Sequence, residues 1–165
     1  AHFGVAVSLA GMASESAFST ERLVAMRAGE SVAVGPFDVT LEAVEPVAGP
    51  NWSALQARIA MSDGSSDTVL RPQARYFTEP EQSTSESALL TRWNGQFYAI
   101  LGDAAGEDRW QLRLWWKPFV TLIWYGAILI ALGGLLAIFG HLRASARART
   151  IREGVARRRA EKAAA

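Results

Sequence analysis

The sharpest chemical candidates in this chain are its two histidines, His2 and His141, which stand near opposite ends of the sequence. A neutral imidazole can take up a proton, hold a metal or ligate haem iron. His2 opens an apolar stretch, residues 1–14, interrupted only by that histidine and by serines. In helical form, the twelve residues from His2 to Ser14 cover about 18 Å. If Ser14 lies at the outer face of a bilayer, His2 lies near its middle. An ionisable group at that depth is costly and points to function. Two readings stay open for it: a ligand to haem iron, or a hydrogen bond to a carbonyl of a neighbouring helix. His141 follows a second apolar run, where a protonated ring suits the negative end of a helix dipole, and it reads as a cap.

Other chemistry is sparse. The chain has no cysteine, which excludes disulfides, thiolate metal sites, thiol redox chemistry and covalent haem attachment by this chain. A serine-histidine-aspartate set would need a histidine in the central region, and both lie outside it. The acids are scattered without metal-ligand spacing, and Glu42 and Glu45 read as solvated charge near a strand end. Gly133-Gly134 falls within an apolar run, so it is no phosphate loop. Arg71 and Arg75 flank Pro72 beside Tyr76 and could touch a partner, although ordinary surface charge accounts for them as well.

The elements that must position these residues fall into four parts. Residues 119–140 carry no charge, and at about 1.5 Å per residue they reach roughly 33 Å, enough to cross a hydrocarbon core of about 30 Å. Pro118 suits the first position of such a helix. Trp115, Trp116, Trp124 and Tyr125 at its entry suit an aromatic belt. Gly126 and the small residues around 131–134 give it a face for close helix packing. After Gly140 stand eight basic residues against two acidic ones, a net +6, while residues 1–140 hold nine basic and fourteen acidic, a net −5. This asymmetry places the tail in the cytoplasm and the preceding domain outside it. A basic run can also bind nucleic acid, but one abutting a membrane span reads as a topology signal touching anionic lipid.

Between the apolar segments, short alternating runs recur, among them residues 37–44, 53–61, 97–102 and 109–116. Turn signals such as Gly35-Pro36, Gly49-Pro50-Asn51 and Asp63-Gly64 punctuate them. The polar window 79–87 reads as a loop, and residues 85–89 as the opening of a short helix. The expected architecture is a mixed membrane protein, with transmembrane α-helices flanking a small antiparallel β-sandwich or barrel-like extracytoplasmic domain. Residues 1–14 are expected to be the end of a transmembrane helix whose start is missing, in preference to a short amphipathic surface helix, and 15–116 the β-rich domain. Residues 118–140 are a transmembrane helix, and 141–165 a basic cytoplasmic tail.

Several pieces also carry a family resemblance: Ala-His-Phe-Gly (1–4), Gly29-Glu30, Gly-Pro-Asn-Trp (49–52), Arg-Tyr-Phe (75–77), residues 85–89 and 97–103, Lys-Pro-Phe-Val (117–120) and residues 123–139. In this order and spacing the chain resembles the C-terminal portion of the CcmF family, the membrane subunit of the bacterial cytochrome c maturation (haem lyase) system. The resemblance implies a polytopic inner-membrane protein with its β domain in the periplasm, handling haem and attaching it to apocytochrome c. It implies the haem chaperone CcmE, CcmH and apocytochrome c as partners, besides the lipid bilayer and upstream helices, and no nucleic acid. It implies a haem b held by two histidines, one of them His2, whose ring would be an axial ligand to the haem iron. The second ligand and the family's tryptophan-rich region would lie upstream, and Trp115-Trp116 is not that region. Gly95-Gln96 and Gly140-His141-Leu142 depart from the family pattern and put local contacts in doubt. The chain is expected to be a fragment or split-gene product, inactive alone. The alternative is a non-enzymatic, membrane-anchored binding or scaffold module of an assembly complex.

Overall fold

The computed structural model describes the backbone of residues 2–164 and all side chains in that range except those of 146, 149–153 and 155–164. Ala1 and Ala165, the outermost residues of the two expected end segments, lie outside the described residues, as do the side chains of most of the basic tail. The order of elements is α1 (His2–Phe18), β1 (Thr20–Met26), β2 (Ser31–Val34), β3 (Phe37–Ala48), β4 (Trp52–Ser62), β5 (Asp67–Leu70), β6 (Gln73–Thr78), β7 (Glu81–Glu86), β8 (Ala88–Arg92), β9 (Gly95–Ala104), β10 (Trp110–Pro118) and α2 (Leu122–Ala164). Two compact units result, one of residues 10–122 and one of residues 1–9 with 123–165.

The first unit holds an antiparallel sandwich. One sheet runs β1-β10-β9-β8, and the other β2-β3-β4-β6-β7 with β5 also paired to β4. Strand alternation builds the core between them. On β9, Gly95, Phe97, Ala99 and Leu101 point in, and on β10, Leu112, Leu114 and Trp116 do so. From the facing sheet come Val34, Phe37, Val39, Leu41, Ala57, Ile59 and Met61. Phe37 meets Phe97 and Trp116 edge-on, with ring centroids 5.5 and 5.1 Å apart, the geometry that aromatic quadrupoles favour. Trp116 fits only because Gly35 and Gly95 lie against its ring. A Cβ on Gly95 would sit 2.6 Å from Trp116 Cη2 and 2.7 Å from the Lys117 carbonyl oxygen.

β5 and β6 are two halves of one interrupted strand. β5 pairs with the last residues of β4 and β6 with its first. Pro72, fully buried between them, cannot donate to the ladder. Its carbonyl instead accepts from Ala57 N–H at 3.0 Å. The crossover from β1 to β2 is the Gly29-Glu30 turn. Gly29, at φ 89°, donates its N–H to Leu41 O at 2.7 Å, and Leu41 N–H returns to Glu30 O at 3.1 Å. Arg109, from the β9–β10 hairpin, clamps the same turn through the Glu30 carboxylate (3.0 Å) and the Ala25 carbonyl (2.7 Å).

Four expectations are corrected here. Residues 79–87 form no loop, because β7 pairs along β6 from Gln73↔Glu86 to Thr78↔Glu81. Residues 85–89 open no helix, because Ala88 begins β8. Pro118 ends β10 instead of beginning a helix, and α2 starts at Leu122 after a turn. Glu42 and Glu45 are exposed, as solvated charges are, but they lie within the twelve-residue β3, past its bulge at Leu41/Ala43, and Glu42 accepts from Arg58 at 2.7 Å.

In the second unit, α2 continues through the basic segment to Ala164. Its Leu122–Ser145 stretch, 24 residues, is the one helix among the described residues long and apolar enough to cross a membrane, and 6% of it is buried.

Candidate functional site

Within the helical unit, α2 and the first residues of α1 pack through small side chains. A Cβ on Gly4 would meet the Gly126 carbonyl oxygen at 2.7 Å and Ile130 N at 2.8 Å, and one on Gly126 would meet Ser8 N at 2.6 Å. Ser8 Oγ donates to the Ile123 carbonyl at 3.2 Å. Gly4 and Ser8, one helical turn apart, thus form the small-residue stripe that admits the backbone of α2. The sequence pointed to Gly126 for this role and missed its partners Gly4 and Ser8. Their spacing of four in an apolar run is the signal that could have found them. Gly134 meets no atom within 4 Å of a built Cβ, so its share of the small-residue face is open.

This contact fixes the height of His2. Ser8 faces Ile123 and Gly4 faces Ile130, so the helices run antiparallel. His2 lies two residues, about 3 Å, beyond Gly4. Gly4 lies between Gly126 and Ile130, so His2 is level with about residues 130–131, about two turns inside Leu122–Ser145. The His2 imidazole is exposed and makes no hydrogen bond among the described residues. His141 is ten or eleven residues further along α2, about 16 Å, beyond the roughly 13 Å that two imidazoles on one iron can bridge. No group of three or more His, Cys, Asp or Glu side chains gathers among the described residues. The donor set is one unengaged imidazole on an apolar helix. That fits one axial bond to a haem iron and no more.

The sandwich surface carries a second cluster of polar and aromatic side chains. Gly49 donates its N–H to the Trp52 carbonyl at 2.8 Å, and a Cβ on Gly49 would lie 2.5 Å from Trp52 Nε1, so glycine lets the indole fold back. The Arg75 guanidinium lies 4.4 Å above that ring, a cation–π contact. Its Nε donates to Gln73 Oε1 at 2.7 Å, and Glu86 stands 3.7 Å away. The Gly-Pro-Asn-Trp and Arg-Tyr-Phe motifs are therefore one structure, joined by the Trp52↔Phe77 register. On the opposite face of the same strands an open groove of about 490 Å³ runs between Pro46, Val47, Leu55, Ala74 and Tyr76. Arg71 is exposed and takes no part.

Two carboxylates have altered acidity. The Ser65 hydroxyl (2.7 Å) and the Ser65 and Ser66 amides (2.9 Å each) donate to Asp63 Oδ1 and hold its carboxyl well below the usual range. Arg92 pairs with its other oxygen, linking the β4–β5 turn to β8. Glu21 is lowered by the Arg113 Nε–H that it accepts at 2.6 Å. Arg113 also covers the Trp115 ring at 4.4 Å. Of the expected aromatic belt, Trp116 is thus a core residue, 7% exposed, whereas Trp124 and Tyr125 are exposed on α2.

Residues 17–118 match the family model for the CcmF C-terminal beta-sandwich. Cytochrome c-type biogenesis protein CcmF of Escherichia coli (strain K12) is 39% identical over 140 residues, which is 84% of this chain and 22% of that protein. Cytochrome c-type biogenesis protein CycK of Bradyrhizobium diazoefficiens is 38% identical over 139 residues, 84% of this chain and 21% of the relative. A solved structure, Cytochrome c Heme Lyase CcmF, superposes with a TM-score of 0.64 at 22% identity, covering 81% of this chain and 23% of that one, a likeness of fold. The chain spans about a fifth of the length of the relatives it matches. Since the matched region runs from the last turn of α1 to the end of β10 and so takes in the whole sandwich, the chain belongs to the CcmF C-terminal beta-sandwich family.

Proposed function

We propose that this chain serves c-type cytochrome biogenesis as the C-terminal part of a membrane haem lyase subunit, with His2 as one axial ligand to a haem b. The observation that carries the reading is the register of α1 on α2, which sets an unengaged imidazole about two turns inside the 24-residue apolar stretch. An unpaired polar group at that depth in lipid is unfavourable unless something binds it. When bound, haem b would supply one-electron chemistry. His2 would hold the iron, and the Gly4–Gly126 and Ser8–Ile123 contacts would fix the height and rotation of its helix. The surrounding aliphatic side chains would keep water from the iron, one of the means by which a protein tunes potential.

In the same reading α2 crosses the bacterial inner membrane, the sandwich lies in the periplasm and the basic segment in the cytoplasm. Apocytochrome c, CcmE and CcmH are the partners that the family membership suggests. The open groove between Leu55, Ala74 and Tyr76 is where the sandwich would receive one of them.

A reduced-minus-oxidised optical spectrum of the detergent-purified protein with its full complement of helices tests the ligand. His2→Ala is expected to remove most of the b-type signal while leaving the protein folded. An unchanged signal would place the ligand elsewhere. The chain would then be an anchored, non-enzymatic binding module in which the sandwich alone is functional, a reading favoured by its open groove.

A further inference from the structure

The sandwich has a marked polarity along its strands. Thr20, the first residue of β1, pairs with Trp116, and Pro118, the last of β10, pairs with Gly95. The ends of the sheet that join to α1 and α2 therefore coincide with the β8–β9 turn, Trp93-Asn94. That turn is tied to the last residues before α2. Phe119 N–H donates to Asn94 O at 2.7 Å, and Thr121 Oγ1 donates to Trp93 O at 2.7 Å from a site only 4% exposed.

Two aromatic side chains project from this anchored corner. Trp93 is 76% exposed, the most exposed large apolar residue described, and Phe119 is 41% exposed. Phe119 holds φ at 57°, a left-handed conformation unfavourable for a bulky residue. Two hydrogen bonds and a strained backbone thus maintain an arrangement that leaves two aromatic rings outside the core. Water alone gives no return for that. The boundary between lipid headgroups and acyl chains does, because an indole buries its apolar face there and keeps its N–H wet. Phe119 stands three residues before Leu122, where the apolar stretch begins, so the chain passes from the corner into that stretch within a single turn.

We infer that Trp93 and Phe119 are a second membrane contact of this chain, a hairpin corner of the sandwich seated in the lipid headgroup layer. The inference rests on the proposal that α2 spans a bilayer. It replaces part of the aromatic belt that the sequence assigned to Trp116, now in the core.

Fluorine NMR of the full chain labelled with 5-fluorotryptophan in phosphatidylcholine–phosphatidylglycerol nanodiscs tests it. The chain has six tryptophans. Trp93, Trp110 and Trp124 are assigned by single Trp→Phe variants. Trp124 opens the exposed face of α2, and Trp110 starts β10 at the opposite end of the sheet from Trp93. With a nitroxide on the lipid headgroups, Trp93 and Trp124 are expected to lose most of their intensity while Trp110 stays sharp. A sharp Trp93 beside a broadened Trp124 overturns the inference and leaves the span intact, with a neighbouring protein surface as the cover for the corner. Equal broadening of Trp93 and Trp110 also overturns it, as contact without orientation. If Trp93 and Trp124 both stay sharp, the spanning helix fails and the corner contact with it.

Discussion

Asp63 illustrates how much one side chain can organise. It closes the β4–β5 turn through Ser65 and Ser66 and reaches the other sheet through Arg92, whose guanidinium also lies 5.4 Å from the Phe37 ring centre. Its folded-state pKa is depressed, so the unfolded chain binds the proton more readily. The stability it lends is complete above the usual aspartate range, about pH 3.9, and is lost as pH falls through the depressed value. Asp63→Asn is expected to lower the urea midpoint of the sandwich at neutral pH and to shallow its loss on going to about pH 3. Parallel pH slopes for the two proteins would deny Asp63 this role. The Asp63-Gly64 turn is plain in the sequence, but Arg92 is 29 positions away, a partner that only the packing of two sheets supplies. Trp116 was within reach of sequence reasoning. Leu112, Leu114 and Trp116 alternate with Arg113, Trp115 and Lys117, and period two places Trp116 inward. Its position before an apolar run pulled the reading toward the membrane instead.

At the scale of elements, apolar periodicity carried most of the information, and polar strands carried none. β9 reads as a strand because its inward residues alternate with half-exposed ones. β7, with sequence Glu-Gln-Ser-Thr-Ser-Glu, has no apolar face, since it is an exposed outer strand held by backbone pairing to β6. Such a strand is specified by its neighbour and leaves no mark in hydropathy. The helical pair was half legible. Gly126 was visible as a packing residue, but the height of His2 along α2 follows only from the Gly4–Gly126 contact. Gly126→Leu is expected to part the helices, because even a methyl group there would meet Ser8 N at 2.6 Å. Spin labels at the exposed positions Val5 and Ile128, introduced as Val5→Cys and Ile128→Cys, would report it by electron–electron double resonance. The distance should lengthen by a few Å, toward the about 8–10 Å axial spacing of ordinary packing. An unchanged distance would show that the glycine is dispensable.

For the whole molecule, the proposed orientation rests on charge. The segment after Gly140 carries +6 and the remainder −5, and cytoplasmic loops collect the positive residues. A membrane-impermeant protease should spare the basic segment in right-side-out vesicles and remove it in inverted ones. The reverse pattern would turn the proposed topology over. The coincidence of the sandwich's two connections at one end has a different consequence, one of modularity. Thr20 and Trp116 are cross-strand neighbours, so their Cα atoms are only about 4.5–5.5 Å apart. A chain that leaves and returns through so narrow a gap can be excised without changing the path of its host. The roughly hundred residues between α1 and α2 are thus a cassette that a short turn could replace. Evolution could have enlarged that cassette, or engineers could exchange it, while two helices and a histidine stay where they are.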